Sequence, residues 1–179
     1  MIRTIADVLQ RWGFSRGGWL DNRRGEWWLL AQLLLIALDV LLPSWPARWA
    51  WPPFLLPWLP LLGLGLLGGG LVLALLAFMQ LGESLTPLPE PMPAVPLKQQ
   101  GLYGFCRHPL YLAVLICSSG MALIRAGLLH PLLLLALAML LVGKARREER
   151  FLMALHPDFE AYRQRTAAIV PWLPGLDWR

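Results

Sequence analysis

LLGLGLLGGGLVLALLAFMQL, Leu61 to Leu81, runs for 21 residues without a charge. A membrane-spanning helix needs about 20 apolar residues, at about 1.5 Å each, to cross roughly 30 Å of hydrocarbon. This stretch meets that length alone, and a helix apolar on every side belongs in a large core or in lipid. Three more apolar runs lie around it: Trp27 to Leu42, with Asp39 near its end, then Leu110 to Ile124 and Leu128 to Val142 on either side of Arg125. Each needs flanking residues, local thinning or a snorkelling arginine to span. The expected fold is all-α: an integral membrane helical bundle of about four transmembrane helices with a cytosolic C-terminal helical segment. The last two helices form a tight hairpin at "RAGLLHP", where Pro131 suits a helix start.

Composition agrees. Of 179 residues, 57% are hydrophobic and 15% charged, against about 25% charged in soluble domains. One domain is expected over 1–179, with a cytosolic segment 1–26, helices and loops over 27–142, and a cytosolic segment 143–179. The basic excess is gathered into segments rather than interleaved with aromatics, which argues against nucleic acid and for an anionic lipid surface. Cys106 and Cys117 form neither a disulfide framework nor a zinc site. The first 26 residues carry scattered charges and no apolar core, so they do not read as a cleavable signal peptide. "PSWPARWAWPPFLLPWLP" suits the interface, where tryptophan belts sit.

Positive charge sets the orientation. Arg3, Arg11, Arg16, Arg23 and Arg24 precede the first run, and Lys98 and Arg107 lie between the second and third. Seven Lys and Arg follow the fourth, leaving Arg48 and Arg125 for the other side. By the positive-inside rule both termini and the middle loop are cytoplasmic. Inside the second run, Gly63, Gly65 and Gly68 match G-x-G-x-x-G, but no βαβ context surrounds them. Gly65 and Gly69 also form G-x-x-x-G, read here as a helix-packing face.

The polar chemistry gathers in two places predicted to emerge on one membrane face: "GLYGFCRHPLY" (Gly101 to Tyr111) and "KARREERFLMALHPDFEAYRQR" (Lys144 to Arg165). If the fourth helix continues past Gly143, Arg146 and Arg150 share a face, as do Lys144 and Glu148. Adjacent residues on a helix point about 100° apart, so Glu148 and Glu149 cannot face one partner. On charge pattern alone the tail also reads as a solvated helix end, His108 as an interfacial histidine, and Arg107 as a headgroup anchor. His130 and His156 read as structural, and the three histidines lack metal spacing.

Together these pieces resemble the isoprenylcysteine carboxyl methyltransferase and phospholipid methyltransferase superfamily. Its pattern G-P-Y-x-x-x-R-H-P-x-Y meets Gly101, Leu102, Tyr103, Arg107, His108, Pro109 and Tyr111 here. Its E-E-x-x-L meets Glu148, Glu149 and Leu152, and "LHPDFEAYRQR" and "VPWLP" follow. Leu81 to Pro174 carry the likeness, including the bacterial-looking "LGESLTPLPEP". Leu102 departs from the usual proline, His156-Pro157 from a glycine turn, and Phe159 from a tyrosine, while Tyr162 keeps the second one.

The resemblance implies a helical membrane methyltransferase that holds S-adenosylmethionine at its cytosolic helix ends. It implies cofactor contacts at Tyr103, His108, Pro109, Tyr111, Glu148, Glu149 and Tyr162. Carboxylates can accept from the ribose or ammonium, and aromatic faces attract the sulfonium by about 0.5 to 2 kcal/mol. Methyl transfer asks chiefly for in-line positioning, which supplies about 7 to 11 kcal/mol. A carboxylate acceptor needs an arginine to grip it, with Arg107, Arg150 and Arg163 as candidates; an amine acceptor needs a base such as Glu149. The expected substrate is a lipophilic or prenylated molecule reached through the membrane, most directly an isoprenylcysteine-like carboxylate. Phospholipid amine methylation, an NADPH-dependent membrane reductase and a non-enzymatic scaffold are the alternatives. No metal is expected, and the oligomeric state is open.

Overall fold

Each apolar run forms a helix. The computed structural model describes residues 22, 25–46, 52, 54–82, 88 and 96–179. The segment 1–21 and the expectations resting on Arg3, Arg11, Arg16, Arg23, Arg24, Arg48 and most of "LGESLTPLPEP" lie outside the described residues. The helices are α1 (Glu26–Leu41), α2 (Leu59–Leu81), α3 (Leu102–Phe105), α4 (Pro109–Arg125), α5 (Leu129–Leu155) and α6 (Phe159–Arg165). Among the described residues there are no strands, only two isolated bridges, Cys106 with Ala167 and Pro174 with Asp177.

Two of these helices, α2 and α5, are long and apolar enough to cross a membrane. At 16 and 17 residues, α1 and α4 are shorter, so two helices of spanning length stand where about four spans were expected. The outer surface of α2 is apolar throughout, with Leu61, Leu64, Leu71, Val72, Leu75, Phe78 and Met79 all exposed. An apolar face of that extent is far larger than soluble monomers usually show.

The other face of α2 lies against α4, and glycines permit the approach. A Cβ on Gly63 would stand 2.6 Å from the Gly120 carbonyl oxygen, and one on Gly70 would stand 2.6 Å from Cys117 Sγ. Spaced seven apart, Gly63 and Gly70 share one side of the helix. Gly65, Gly68 and Gly69 have nothing within 4 Å of where a Cβ would sit. The helix-packing reading of this run therefore holds for Gly63 and Gly70 rather than for Gly65 and Gly69. A strict G-x-x-x-G pair seats one crossing, whereas α2 follows α4 along two turns and selects the i, i+7 pair.

The α4–α5 hairpin turns through Ala126, Gly127 and Leu128, with Ala126 in the left-handed region at φ 51. His130 is buried in the first turn of α5. Past Val142, α5 does not stop at Gly143; its run of Ala, Arg, Glu and Leu favours the helix, which continues to Leu155 and ends at His156, before Pro157. The core joins α4 and α5 to the C-terminal tail through Leu115, Leu137, Leu141, Ala145, Ala168 and Ile169.

Candidate active site

The site begins where the chain enters α4. His108, at φ -124 and ψ 62, precedes Pro109 at the helix's first position, where proline's missing N–H leaves no donor unmet. Ahead of it Cys106 to His108 lie alongside the tail: Arg107 N donates to Ala167 O at 2.8 Å and His108 N to Ala168 O at 3.0 Å. This pairing fixes the direction in which Arg107 and His108 project.

Arg107 turns inward, its side chain 1% exposed. Its Nε donates to Glu149 Oε1 at 2.8 Å, its Nη1 to the carbonyls of Arg163 and Thr166, and its Nη2 to Trp178 O at 2.7 Å. A guanidinium has five donors in a fixed fork; here they lock α5, α6 and the C-terminal residues together. The expectation that Arg107 grips a substrate carboxylate does not match these surroundings, because four of its five donors meet protein acceptors in a buried place.

Glu149 is the counterpart. Oε1 accepts from Arg107 and from His108 Nε2 at 3.0 Å, and Oε2 accepts from Trp178 Nε1 at 2.8 Å. An ionised carboxylate only accepts, so His108 Nε2 carries the proton in this contact. Glu149 stands two turns beyond Val142, outside the apolar part of α5. Burial would raise its pKa, but the hydrogen bonds and charges of His108 and Arg107 outweigh it and hold the carboxyl at about 2. The group is ionised and buried, with both oxygens occupied.

Glu148 points elsewhere. Its side chain is 26% exposed; Oε2 accepts from Tyr111 OH at 3.0 Å and lies 3.7 Å from His108 Nδ1. The Tyr111 and His108 rings stack, with centroids 5.2 Å apart and planes 4° from parallel. Beneath them Lys144 Nζ lies 5.4 Å from the Tyr111 ring and donates to Gln32 Oε1 at 2.7 Å, joining α5 to α1. The less buried side of the cluster thus presents the Glu148 carboxylate beside the partly buried Tyr111, with the His108 ring buried behind them.

Other candidates are support. Tyr162 is buried, its hydroxyl donating to Tyr103 O at 2.5 Å and its ring edge-on to Phe159. Burial pushes the Tyr103 and Tyr162 phenols above their ordinary range, so both remain neutral donors. Phe159 fills the core where a tyrosine is usual. The Arg163 guanidinium pairs with Glu160 on α6, and Arg150 is exposed, outside the hydrogen-bonded cluster. The structure brings together Tyr103, Arg107, His108, Pro109, Tyr111, Glu148, Glu149 and Tyr162, while the side chains of Arg150 and Arg163 stand apart. Burial pushes the Cys106 thiol up to about 11, which leaves it protonated and unsuited to nucleophilic work.

Trp178 had no signal in the sequence. Its indole bonds Glu149, and its ring lies 5.2 Å from the Arg146 guanidinium and 6.0 Å from that of Arg107. Asp177 returns the tail to this place, accepting from Ala168 N at 3.3 Å and Trp172 N at 3.0 Å. One tryptophan among ten is found only through that turn.

This R-H-P, Tyr and Glu-Glu constellation lies largely within residues 58–158, which match the phospholipid methyltransferase family. The chain belongs to that family. Phospholipid methyltransferase family proteins are membrane-associated methyltransferases that use S-adenosylmethionine. Among relatives, the cobalt-zinc-cadmium resistance protein CzcN of Cupriavidus metallidurans is 32% identical over 168 residues, covering 90% of this chain and 70% of that protein. The nickel-cobalt-cadmium resistance protein NccN of Alcaligenes xylosoxydans xylosoxydans is 35% identical over 74 residues, 41% of this chain and 35% of the relative. Family membership accounts for the motif, and the geometry distinguishes its two carboxylates: Glu149 buried and bonded to three side chains, Glu148 partly exposed and bonded to Tyr111.

Proposed function

We propose that the chain transfers a methyl group from S-adenosylmethionine to the carboxylate of a lipophilic, isoprenylcysteine-like acceptor at the membrane surface. The observation that carries the reading is the split between Glu148 and Glu149. Glu148, beside the stacked His108 and Tyr111 rings, offers what a sulfonium, a ribose diol and an ammonium require: an accessible carboxylate and aromatic walls. Bound there, the cofactor supplies an electrophilic methyl group. Glu149, Arg107 and Trp178 hold His108 in place without touching the cofactor, and Tyr162 and Pro109 hold the backbone around Tyr103 and the start of α4.

A carboxylate acceptor is already a nucleophile and needs no base, which suits a site whose buried carboxylate has both oxygens occupied. Amine methylation would ask for a general base, and Glu149, its carboxyl held at about 2 by His108 and Arg107, is a poor proton acceptor. The substrate approaches from the lipid side and the cofactor from water. By the arginine asymmetry, both termini and the loop of Lys98 are placed in the cytoplasm, and all four apolar helices cross, α1 and α4 with local thinning. We extend to this chain the metal-resistance setting named for its two relatives as the context in which such a methylation acts.

The test incubates the liposome-reconstituted protein with methyl-labelled S-adenosylmethionine and either a farnesylated cysteine or phosphatidylethanolamine. Label on the farnesylated cysteine that alkali releases as methanol supports carboxyl methylation. Alkali-stable label on phosphatidylethanolamine replaces it with amine methylation, and no label on either contradicts the reading.

A further inference from the structure

A cavity of about 460 Å³ opens where α2 leaves its apolar stretch, between Gln80 and the segment Leu97 to Gly101, with Tyr103 on its inner wall. It adjoins the Glu148 cluster through Tyr103, whose phenol feels the Glu148 charge and whose backbone Tyr162 anchors. Its walls are fixed. Gln80 Oε1 accepts from Leu102 N at 2.9 Å, and Gly101, at φ 63, lets the chain pass so near that a Cβ there would stand 2.7 Å from Gln80 Oε1. Gln99 Nε2 donates to Asp158 at 2.6 Å and its Oε1 accepts from Arg165, tying the outer wall to α6. Among the described residues Lys98 is the one charged side chain lining the space, beside the side chains of Gln80, Gln99 and Gln100. Directly below, Leu75, Leu76, Phe78 and Met79 present an exposed apolar surface along α2.

A recess lined by Lys98 and glutamine amides, beside the apolar face of α2, has the chemistry of a site for an amphiphilic anion. We propose that this cavity holds the anionic head, carboxylate or phosphate, of the acceptor amphiphile, with Lys98 as the specificity-determining charge and the tail laid along α2. The inference rests on the methyltransferase reading for its role. It supplies a cation for the acceptor, since Arg107 and Arg163 pair with protein groups, Lys144 bonds Gln32, and Arg150 lies outside the cluster. An ammonium suits either head as a point charge.

The experiment titrates the detergent-purified full chain with N-acetyl-S-farnesylcysteine, dodecyl phosphate and zwitterionic dodecylphosphocholine, with S-adenosylmethionine titrated separately. Expected is binding of one or both anions over the phosphocholine, the tighter head naming the source. Lys98→Glu should weaken that binding by about tenfold or more, equivalent to about 1.4 kcal/mol, with Lys98→Arg restoring it and cofactor affinity unchanged within about twofold. Anion binding unaltered in Lys98→Glu, or phosphocholine bound as tightly as either anion, overturns the proposal. Failure of the methyltransferase reading shows differently: no S-adenosylmethionine binding in the parent while Lys98-dependent anion binding persists.

Discussion

Glu148 and Glu149 are sequence neighbours with opposite surroundings: the first is 26% exposed and bonded to Tyr111, the second 3% exposed and bonded to Arg107, His108 and Trp178. The roughly 100° step of a helix turns one toward Tyr111 and partial exposure and the other into the protein. In the proposed function Glu148 contacts the ligand and Glu149 supports the residues around it.

Stability should follow Glu149. Removing the charge of a buried partner leaves Arg107 uncompensated, a change that costs about 3 to 5 kcal/mol. Glu149→Gln is expected to lower the thermal unfolding midpoint in detergent markedly, and Glu148→Gln to leave it nearly unchanged. Equal midpoints for the two variants contradict the assignment.

Acid should expose the same residue. A carboxyl held at about 2 when folded, against 4.5 for its ordinary value, stabilises the fold at neutral pH, where it is ionised in both states. That contribution is fully present above about pH 4.5 and is lost as pH falls toward 2. Unfolding followed between pH 6 and 2.5 should therefore show a loss of stability in the parent that is reduced in Glu149→Gln. Parallel curves for parent and variant would remove Glu149 as the cause.

Trp178→Phe keeps a ring near Arg107 and Arg146 and removes the donor to Glu149. Losing a hydrogen bond to a charged group costs roughly 1.5 to 3 kcal/mol, so chemical unfolding should register a decrease of that order. A variant as stable as the parent would mean that the indole N–H contributes nothing.

The glycines of α2 separate by face. Gly70→Leu forces α2 from Cys117, and overpacking of this kind costs about 1 to 3 kcal/mol or more; Gly65→Leu adds a side chain into open space, where a helix gains up to about 1 kcal/mol over glycine. Heat-induced aggregation in detergent should rank Gly70→Leu least stable and Gly65→Leu no worse than the parent. The reverse order would place the packing face on Gly65.

Much of this was legible in the sequence because it depends on local rules. Four apolar runs predicted four helices, Pro131 marked the hairpin, and the i, i+4 spacings of Lys144 with Glu148 and Arg146 with Arg150 are those of a helix continuing past Gly143. The R-H-P-x-Y motif located the cluster because its residues are close neighbours at the start of α4. What escaped depends on tertiary approach. Nothing in the spacing of Gly63, Gly65, Gly69 and Gly70 says which side α4 occupies, and Trp178 reaches Glu149 only because Asp177 turns the tail back. The arginines misled in a specific way: a guanidinium suited to a substrate carboxylate is equally suited to Glu149 and to backbone carbonyls, and for Arg107 the fold supplies those first.

The most direct measurement is calorimetric titration of the purified protein with S-adenosylmethionine, for the parent and Glu148→Gln, with NADPH as the competing ligand. The account predicts saturable binding of S-adenosylmethionine at micromolar affinity or tighter, about 8 kcal/mol or more, weakened about tenfold or more in a correctly folded Glu148→Gln, with no NADPH binding. A folded parent that binds NADPH and not S-adenosylmethionine, or a Glu148→Gln variant that binds the cofactor as tightly as the parent, contradicts it.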